Sequence, residues 1–170
     1  MKLQLHIEAA EDGDPQNPLA ACDLERITDV FEQELLSIYP DAARYDEVEF
    51  SIVFVGAEEM RHVNMDYRNV DAPTDVLAFP LWDNEGRFEP ELVLDALLPL
   101  GDVMICPEET ARIHSAHPFP EALALVMAHG FLHLLAWDHD TPEKEEEMWR
   151  RQELIRSKLL EAMPAAGGGL

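Results

Sequence analysis

The stretch "HGFLHLLAWDH", residues 129–139, places three histidines within eleven mostly apolar residues. An α-helix turns about 100° and rises about 1.5 Å per residue, so His129 and His133 project from one face, about 6 Å apart along the axis. On a continuous helix His139 would lie about 15 Å from His129, and it can join the pair only if the chain turns back after about Leu135. The spacing therefore predicts a helix that ends there, followed by a tight turn.

Three histidines brought together in this way have the composition of a catalytic zinc site. Neutral imidazoles bind zinc, and a catalytic site keeps its fourth position open for water. We predict that one Zn²⁺ ion binds to His129, His133 and His139. The alternative is that the first two histidines are packed core residues and the third lies on a surface turn, but the H-x3-H-x5-H spacing favours the metal.

The residue after the first histidine separates this pattern from the zinc proteases of similar spacing. Those proteases have a glutamate there, which is the general base, whereas this chain has Gly130. A glycine has no side chain that accepts a proton, so the protease mechanism is disfavoured. Gly130 also has a structural interpretation, which is close packing of the helix against a neighbour.

The remaining sequence predicts a small mixed sheet covered by helices. Alternating, β-branched or aromatic residues predict strands over residues 2–8, 47–55, 74–80 and 100–106. Helical spacing and proline starts predict helices over about 24–38, from about 57, over about 108–115, from 118–120 to about 135, and from 141 onward. Residues 84–99 are predicted to be irregular, with one short helical turn.

The predicted fold class is α/β (α+β), with about four strands, about five helices and the zinc site at the end of the central apolar helix. We expect a single metallohydrolase domain over residues 1–163 and a disordered tail over 164–170. Asp23 and Thr141 are the predicted N-caps of the first and last helices.

Composition restricts the function in two ways. The 170 residues include 12 basic and 35 acidic side chains, a net charge of −23, which argues against nucleic-acid binding because phosphates are contacted by Lys and Arg. A solvated, self-repelling surface is the alternative interpretation of this charge. Cys22 and Cys106 form no disulfide framework or metal-ligand spacing, and no segment has the pattern of a signal peptide or membrane span. We therefore expect a cytoplasmic protein with no membrane association.

Three segments resemble one known family. "HGFLHLLAWDH" (129–139) is similar to the H-G-x-L-H-L-x-G-[YF]-D-H signature of the YbeY family, bacterial metal-dependent endoribonucleases. "NMDYRNVDAPTDVLAFP" (64–80) resembles the family's N-x-x-[YF]-R-x-x-x-x-P-T-D-V-L-S-F-P, and "LGDVMIC" (100–106) resembles its L-G-D-I-x-I-[SC]. Ala136 replaces the family's glycine and Ala78 its serine. If residue 136 takes a positive φ, alanine costs on the order of 1 kcal/mol or more.

The resemblance implies hydrolysis of phosphodiester bonds in single-stranded RNA, in small-subunit (16S) rRNA maturation and ribosome quality control. The implied partners are rRNA, the ribosomal small subunit and its assembly factors. Arg68 matches the arginine of the second segment and is a candidate catalytic residue that contacts phosphate; the alternative is a surface salt bridge. Asp138 is the second catalytic candidate, as a base or as a carboxylate that orients a ligand imidazole, and its alternative is a turn residue.

Other polar residues receive simpler predictions. Arg61 lies nearly on the same helical face as Arg68, and the two are predicted to form a small basic edge. Surface positions are predicted for His114 and His117, and capping or turn roles for Asp75 and Asp102. The basic residues of the last helix are predicted to pair with glutamates of the same helix at i, i+4 spacing: Arg150, Arg151, Arg156 and Lys158.

Two other functions are compatible with the sequence. The first is a zinc peptidase or another metallohydrolase that uses the same ligands. The second is a non-catalytic ribosome-binding factor whose metal is structural, in which case a fourth protein ligand would close the site.

Overall fold

The computed structural model describes residues 1–9, 17–91 and 96–164. Within these residues the strands are β1 (Lys2–Ala9), β2 (Glu47–Phe54), β3 (Val76–Pro80), β4 (Asp83–Asn84), β5 (Arg87–Phe88) and β6 (Leu97–Ile105). The α-helices are α1 (Leu24–Ile38), α2 (Ala57–Arg68), α3 (Pro107–Ile113), α4 (Phe119–Leu134) and α5 (Pro142–Ala162), and a 3-10 helix covers Pro40–Arg44.

Four of these strands form the main sheet, in the order β1-β2-β6-β3. β1, β2 and β6 are parallel, and β3 lies antiparallel to β6 at the edge. β4 and β5 form a separate two-stranded hairpin. The predicted single α/β domain is confirmed: among the described residues, five α-helices accompany a mixed sheet of four strands.

Apolar side chains cover both faces of the sheet because neighbouring residues of a strand point to opposite sides. The larger cluster contains α1, α4 and α5, and includes Phe31, Phe50 and Phe131 in mutual aromatic contact. The smaller cluster lies on the other face, where Met60 of α2 packs with Leu77 of β3. The histidine-bearing helix α4 therefore packs on the opposite face of the sheet from α2.

The predicted caps and helix starts agree with the structure. Asp23 accepts a hydrogen bond from the Arg26 N–H, and the Thr141 hydroxyl accepts one from the Lys144 N–H. These side chains satisfy N–H groups that a helix leaves unpaired at its first turn.

The prediction for residues 84–99 is wrong in two respects. The segment begins with the β4–β5 hairpin, and β6 starts at Leu97, so both ends are strands instead of irregular chain. The predicted helical turn stays a prediction, because residues 92–95 lie outside the described residues. Proline donates no backbone hydrogen bond and is therefore unusual inside a strand. In the structure Pro99 lies opposite Glu49, next to an irregularity in the β2–β6 register, where a missing donor is tolerated.

The basic residues of α5 pair in two different ways. Arg150 with Glu146 and Arg156 with Glu153 pair within the helix, close to the prediction. Arg151 and Lys158 instead reach Glu34 of α1, a carboxylate whose side chain is only 2% exposed. The prediction of local pairing is wrong for these two residues because a partner on α1 competes with the glutamates of their own helix. Glu34 therefore joins the first helix to the last.

The described part of the chain has no helix that is both long and apolar enough to cross a bilayer. Residues 165–170 of the expected tail lie outside the described residues, so the tail and the domain boundary at 163 stay predictions.

Candidate metal centre

The chain reverses direction directly after α4. Ala136 adopts the left-handed conformation, with φ 62°, and the Trp137 N–H donates to the Leu132 carbonyl at 3.0 Å. The predicted turn, with a positive φ at residue 136, is confirmed. It brings His139 back to the end of the helix, beside His129.

The three histidines meet at one point. Their candidate ligand nitrogens all lie within 4.8 Å of one another, and the Nε2 atoms of His129 and His133 are 3.0 Å apart. Two nitrogens bound to a tetrahedral zinc ion at about 2.0–2.1 Å would be separated by about 3.3 Å. The cluster therefore has the donor type and spacing that a single metal ion needs. No fourth His, Cys, Asp or Glu of the described residues belongs to this group.

Burial keeps the two helical histidines neutral. Desolvation lowers the pKa of His133 from its ordinary value to about 4, and the neighbouring His129 and His139 contribute to the shift. Desolvation also lowers the pKa of His129, although a hydrogen bond with Gln152 opposes it. At neutral pH both rings are uncharged and can offer a nitrogen lone pair to a metal ion.

A polar side chain of α5 orients the first helical histidine. The Nδ1 atom of His129 lies 2.8 Å from Oε1 of Gln152, and the backbone of Trp137 acts to raise the pKa of His133. When Nδ1 of His129 donates to Gln152, its Nε2 is free to face the cluster. Gln152 was not predicted from the sequence. The available signal was a polar residue within the buried stripe of α5, between Met148 and Ile155.

A cavity of about 360 Å³ opens over the histidines. Its wall includes the following other residues: Arg68, Val76, Leu77, Ala78, Pro80, Asp83, Gly130 and Asp138. Both catalytic candidates therefore lie on the same cavity as the cluster. So does Asp83, which sequence analysis did not single out because its hairpin was not predicted.

Arg68 differs from its neighbour Arg61. No carboxylate of the described residues lies within 4.0 Å of the Arg68 guanidinium, so the salt bridge that was its alternative interpretation is not seen in this part of the chain. Arg61 is paired with Asp71, at 2.8 Å, and with Glu58. The predicted basic edge is therefore wrong, because the charge of Arg61 is already neutralised.

Asp138 has a structural role beside its position on the cavity. Its Oδ1 accepts a hydrogen bond from the His139 N–H at 2.7 Å. This contact fixes the backbone where the third histidine begins, which agrees with the turn interpretation. The two roles are compatible because a carboxylate has a second oxygen.

His114 and Asp75 form a pair that sequence analysis missed. The Nε2 atom of His114 lies 2.7 Å from Oδ2 of Asp75, and their side chains are 22% and 19% exposed. The prediction of an independent surface histidine is wrong, because the fold brings α3 against the residue that precedes β3. The charge of Asp75 also acts to raise the pKa of His129. The pair therefore belongs to the electrostatic surroundings of the cluster.

Gly130 marks the closest approach of α4 to the sheet. A Cβ atom at this position would clash with the side chain of Val103 on β6, which is fully buried. The structural interpretation of Gly130 is confirmed. A glutamate base could not be accommodated there without moving the helix.

Comparison with known proteins identifies the family. A model of the family described as Endoribonuclease YbeY matches residues 15–160. The chain belongs to the YbeY family. The Endoribonuclease YbeY of Geobacillus kaustophilus is 39% identical over 160 residues, which cover 92% of this chain and 97% of that protein. The Endoribonuclease YbeY of Bacillus velezensis is 44% identical over 110 residues, covering 63% and 69%.

A solved structure shows the same fold. The solution structure of TM1509 from Thermotoga maritima aligns with a TM-score of 0.51 and 22% identity, and covers 98% of this chain and 100% of that chain. The three segments that resemble the YbeY family lie at the cavity or beneath it in this chain. Residues 64–80 and 129–139 line it, and residues 100–106 pack beneath α4.

Proposed function

We propose that this YbeY-family protein is a zinc-dependent endoribonuclease that cleaves single-stranded RNA. Its proposed role is the maturation of 16S rRNA and ribosome quality control in the cytoplasm, with the ribosomal small subunit and its assembly factors as partners. The supporting observation is one cavity that combines three converging histidines with Arg68, a cation without a carboxylate partner among the described residues. Family membership supports RNA as the substrate.

The residues that would hold zinc are His129, His133 and His139. A bound zinc ion supplies Lewis-acid stabilisation of charge on the phosphoryl group and an activated water. Arg68 binds the phosphate through the planar fork of its guanidinium, which matches two phosphate oxygens. Gln152 holds the His129 ring in place. The second carboxylate oxygen of Asp138 is the proposed general base of the reaction.

The two other functions have less support. A structural metal would need a fourth protein ligand, and the described residues supply three. A peptidase of the related spacing would need a glutamate where Gly130 packs on Val103.

The test presents the zinc-loaded protein in parallel with labelled single-stranded RNA, duplex RNA and an unstructured protein. Only the single-stranded RNA should be cleaved. His133→Ala should abolish cleavage, and Arg68→Ala should reduce kcat/KM by at least about tenfold because a charge-assisted contact is lost.

Two variants are matched controls. His117→Ala removes an exposed histidine outside the cavity, and Arg61→Ala removes another cation of α2, one that is already paired with Asp71. Both should keep full activity. Intact RNA with zinc bound, or undiminished cleavage by His133→Ala, would refute the assignment.

A further inference from the structure

Tyr67 is the most exposed large hydrophobic residue of the described part of the chain, with 71% of its surface accessible. Its ring is nevertheless supported: it lies edge-to-face on Phe79 of β3, with ring centroids 4.8 Å apart and an interplanar angle of 68°. One ring face is thus free for a ligand while the ring is held by a partly buried neighbour. Tyr67 also directly precedes Arg68, which lines the cavity.

The edge strand β3 connects this ring to the histidine cluster. Val76, Leu77, Ala78 and Pro80 of this strand line the cavity, whereas Phe79 packs on the side of α2. Arg68 reaches the cavity from the end of α2. A polynucleotide that leaves the cavity past Arg68 and crosses β3 therefore meets the exposed face of Tyr67.

Because most basic side chains of this acidic protein are paired with carboxylates, RNA binding needs contacts that are not ionic. Nine of the twelve Lys and Arg side chains lie within 4.0 Å of a carboxylate that belongs to the described residues. Of the other three, Lys2, Arg26 and Arg68, only Arg68 lines the cavity over the histidines. Neutralisation of phosphates by basic residues, the usual source of affinity for nucleic acid, is therefore small in this protein. Stacking of a base on an aromatic ring needs no basic residue and tolerates any base.

We propose that Tyr67 is a stacking platform for a nucleobase of the RNA next to the cleaved phosphate. This inference rests on the proposed function and extends it. Only a base that is not already stacked and paired can lie flat on the ring, so the platform selects single-stranded RNA.

The test measures binding of a fluorescein-labelled single-stranded RNA with 2′-O-methyl sugars to the zinc-loaded protein. Tyr67→Leu, which keeps an apolar contact with Phe79, should weaken binding roughly five- to 150-fold, and Tyr67→Phe should bind like the wild type. Trp149→Leu is the matched control, because Trp149 is 60% exposed on α5 and does not line the cavity. It should not change the affinity.

Two further arms identify the contact as stacking. RNAs with one abasic nucleotide should reveal a position where loss of the base weakens binding to the wild type but not to Tyr67→Leu. The slope of log Kd against log salt concentration should be unchanged in Tyr67→Leu and smaller by about 1 in Arg68→Ala.

Two results would overturn the platform: wild-type affinity in Tyr67→Leu, or a Tyr67→Leu substitution that weakens binding of intact and abasic RNAs equally at every abasic position. The exposed ring would then be a contact for a protein partner. Cleavage by the wild type alongside either result would retain the proposed function. A wild type that neither binds nor cleaves RNA would overturn both.

Discussion

The histidine cluster consists of two unlike regions. His129 and His133 lie on a regular helix and are partly buried, and Gln152 orients His129. His139 is exposed and follows a turn that depends on the left-handed Ala136. Helix geometry thus fixes the first pair before any metal binds, whereas the position of the third histidine depends on a strained turn. Affinity for the metal should therefore reside mainly in the helical pair.

The largest expected effect comes from removing one histidine of each kind. His133→Ala should weaken zinc binding by more than the roughly 100-fold that loss of a supporting contact costs. His139→Ala should lose less, because water can fill the position of an exposed ligand. Competition with a chromogenic zinc chelator measures both affinities. Equal losses would contradict the distinction between the two regions.

The next effect concerns the support of the helical pair. Gln152→Met keeps the side-chain length but removes the oxygen that orients His129, and should weaken zinc binding about 10- to 100-fold. Gln152→Glu retains an acceptor and is the control, with affinity at or above that of the wild type. Unchanged affinity in Gln152→Met would show that helix packing alone orients the ring.

Burial of the helical pair also predicts acid sensitivity of the metal-free protein. The pKa of His133 is lowered to about 4, so between the ordinary value of 6.5 and about 4 the unfolded chain binds a proton that the folded chain does not. The free energy of unfolding should therefore fall as the pH falls through this range, on the order of 2 kcal/mol, and level off below it. Urea unfolding at several pH values measures the loss. In His133→Asn the decrease in the free energy of unfolding with falling pH should be smaller. An equal decrease in that variant would show that His133 is not its cause.

The smallest effect concerns the turn. Ala136→Gly removes the Cβ that disfavours a left-handed backbone and should raise the free energy of unfolding by about 1 kcal/mol. Thermal unfolding should show a Tm about 2–4 °C higher. A lower Tm would mean that the buried methyl group of Ala136 contributes more than its conformation costs.

Local features of the sequence predicted much of the cluster. The i, i+4 spacing of two histidines, the reversal at residue 136 and the caps at Asp23 and Thr141 involve neighbouring residues, whose geometry follows from helix parameters. Family resemblance then singled out Arg68, which does lie on the cavity.

The contacts that the sequence could not reveal join distant segments. Gln152 is 23 residues from His129, and His114 is 39 residues from Asp75. Such partners depend on the packing of α5 and α3 against the rest of the molecule, which no local pattern encodes. The β4–β5 hairpin was missed for a different reason, since strands of two residues carry too little alternation to be recognised.

Helix α5 bonds to two distant parts of the chain at once. Gln152 contacts the His129 ring, and one residue earlier Arg151 pairs with buried Glu34 of α1, as does Lys158 further along. Zinc binding that stabilises α5 should therefore also stabilise α1, the first helix of the chain. Backbone amides of α1 should exchange with deuterium more slowly once zinc is bound, although this helix contributes no residue to the cavity.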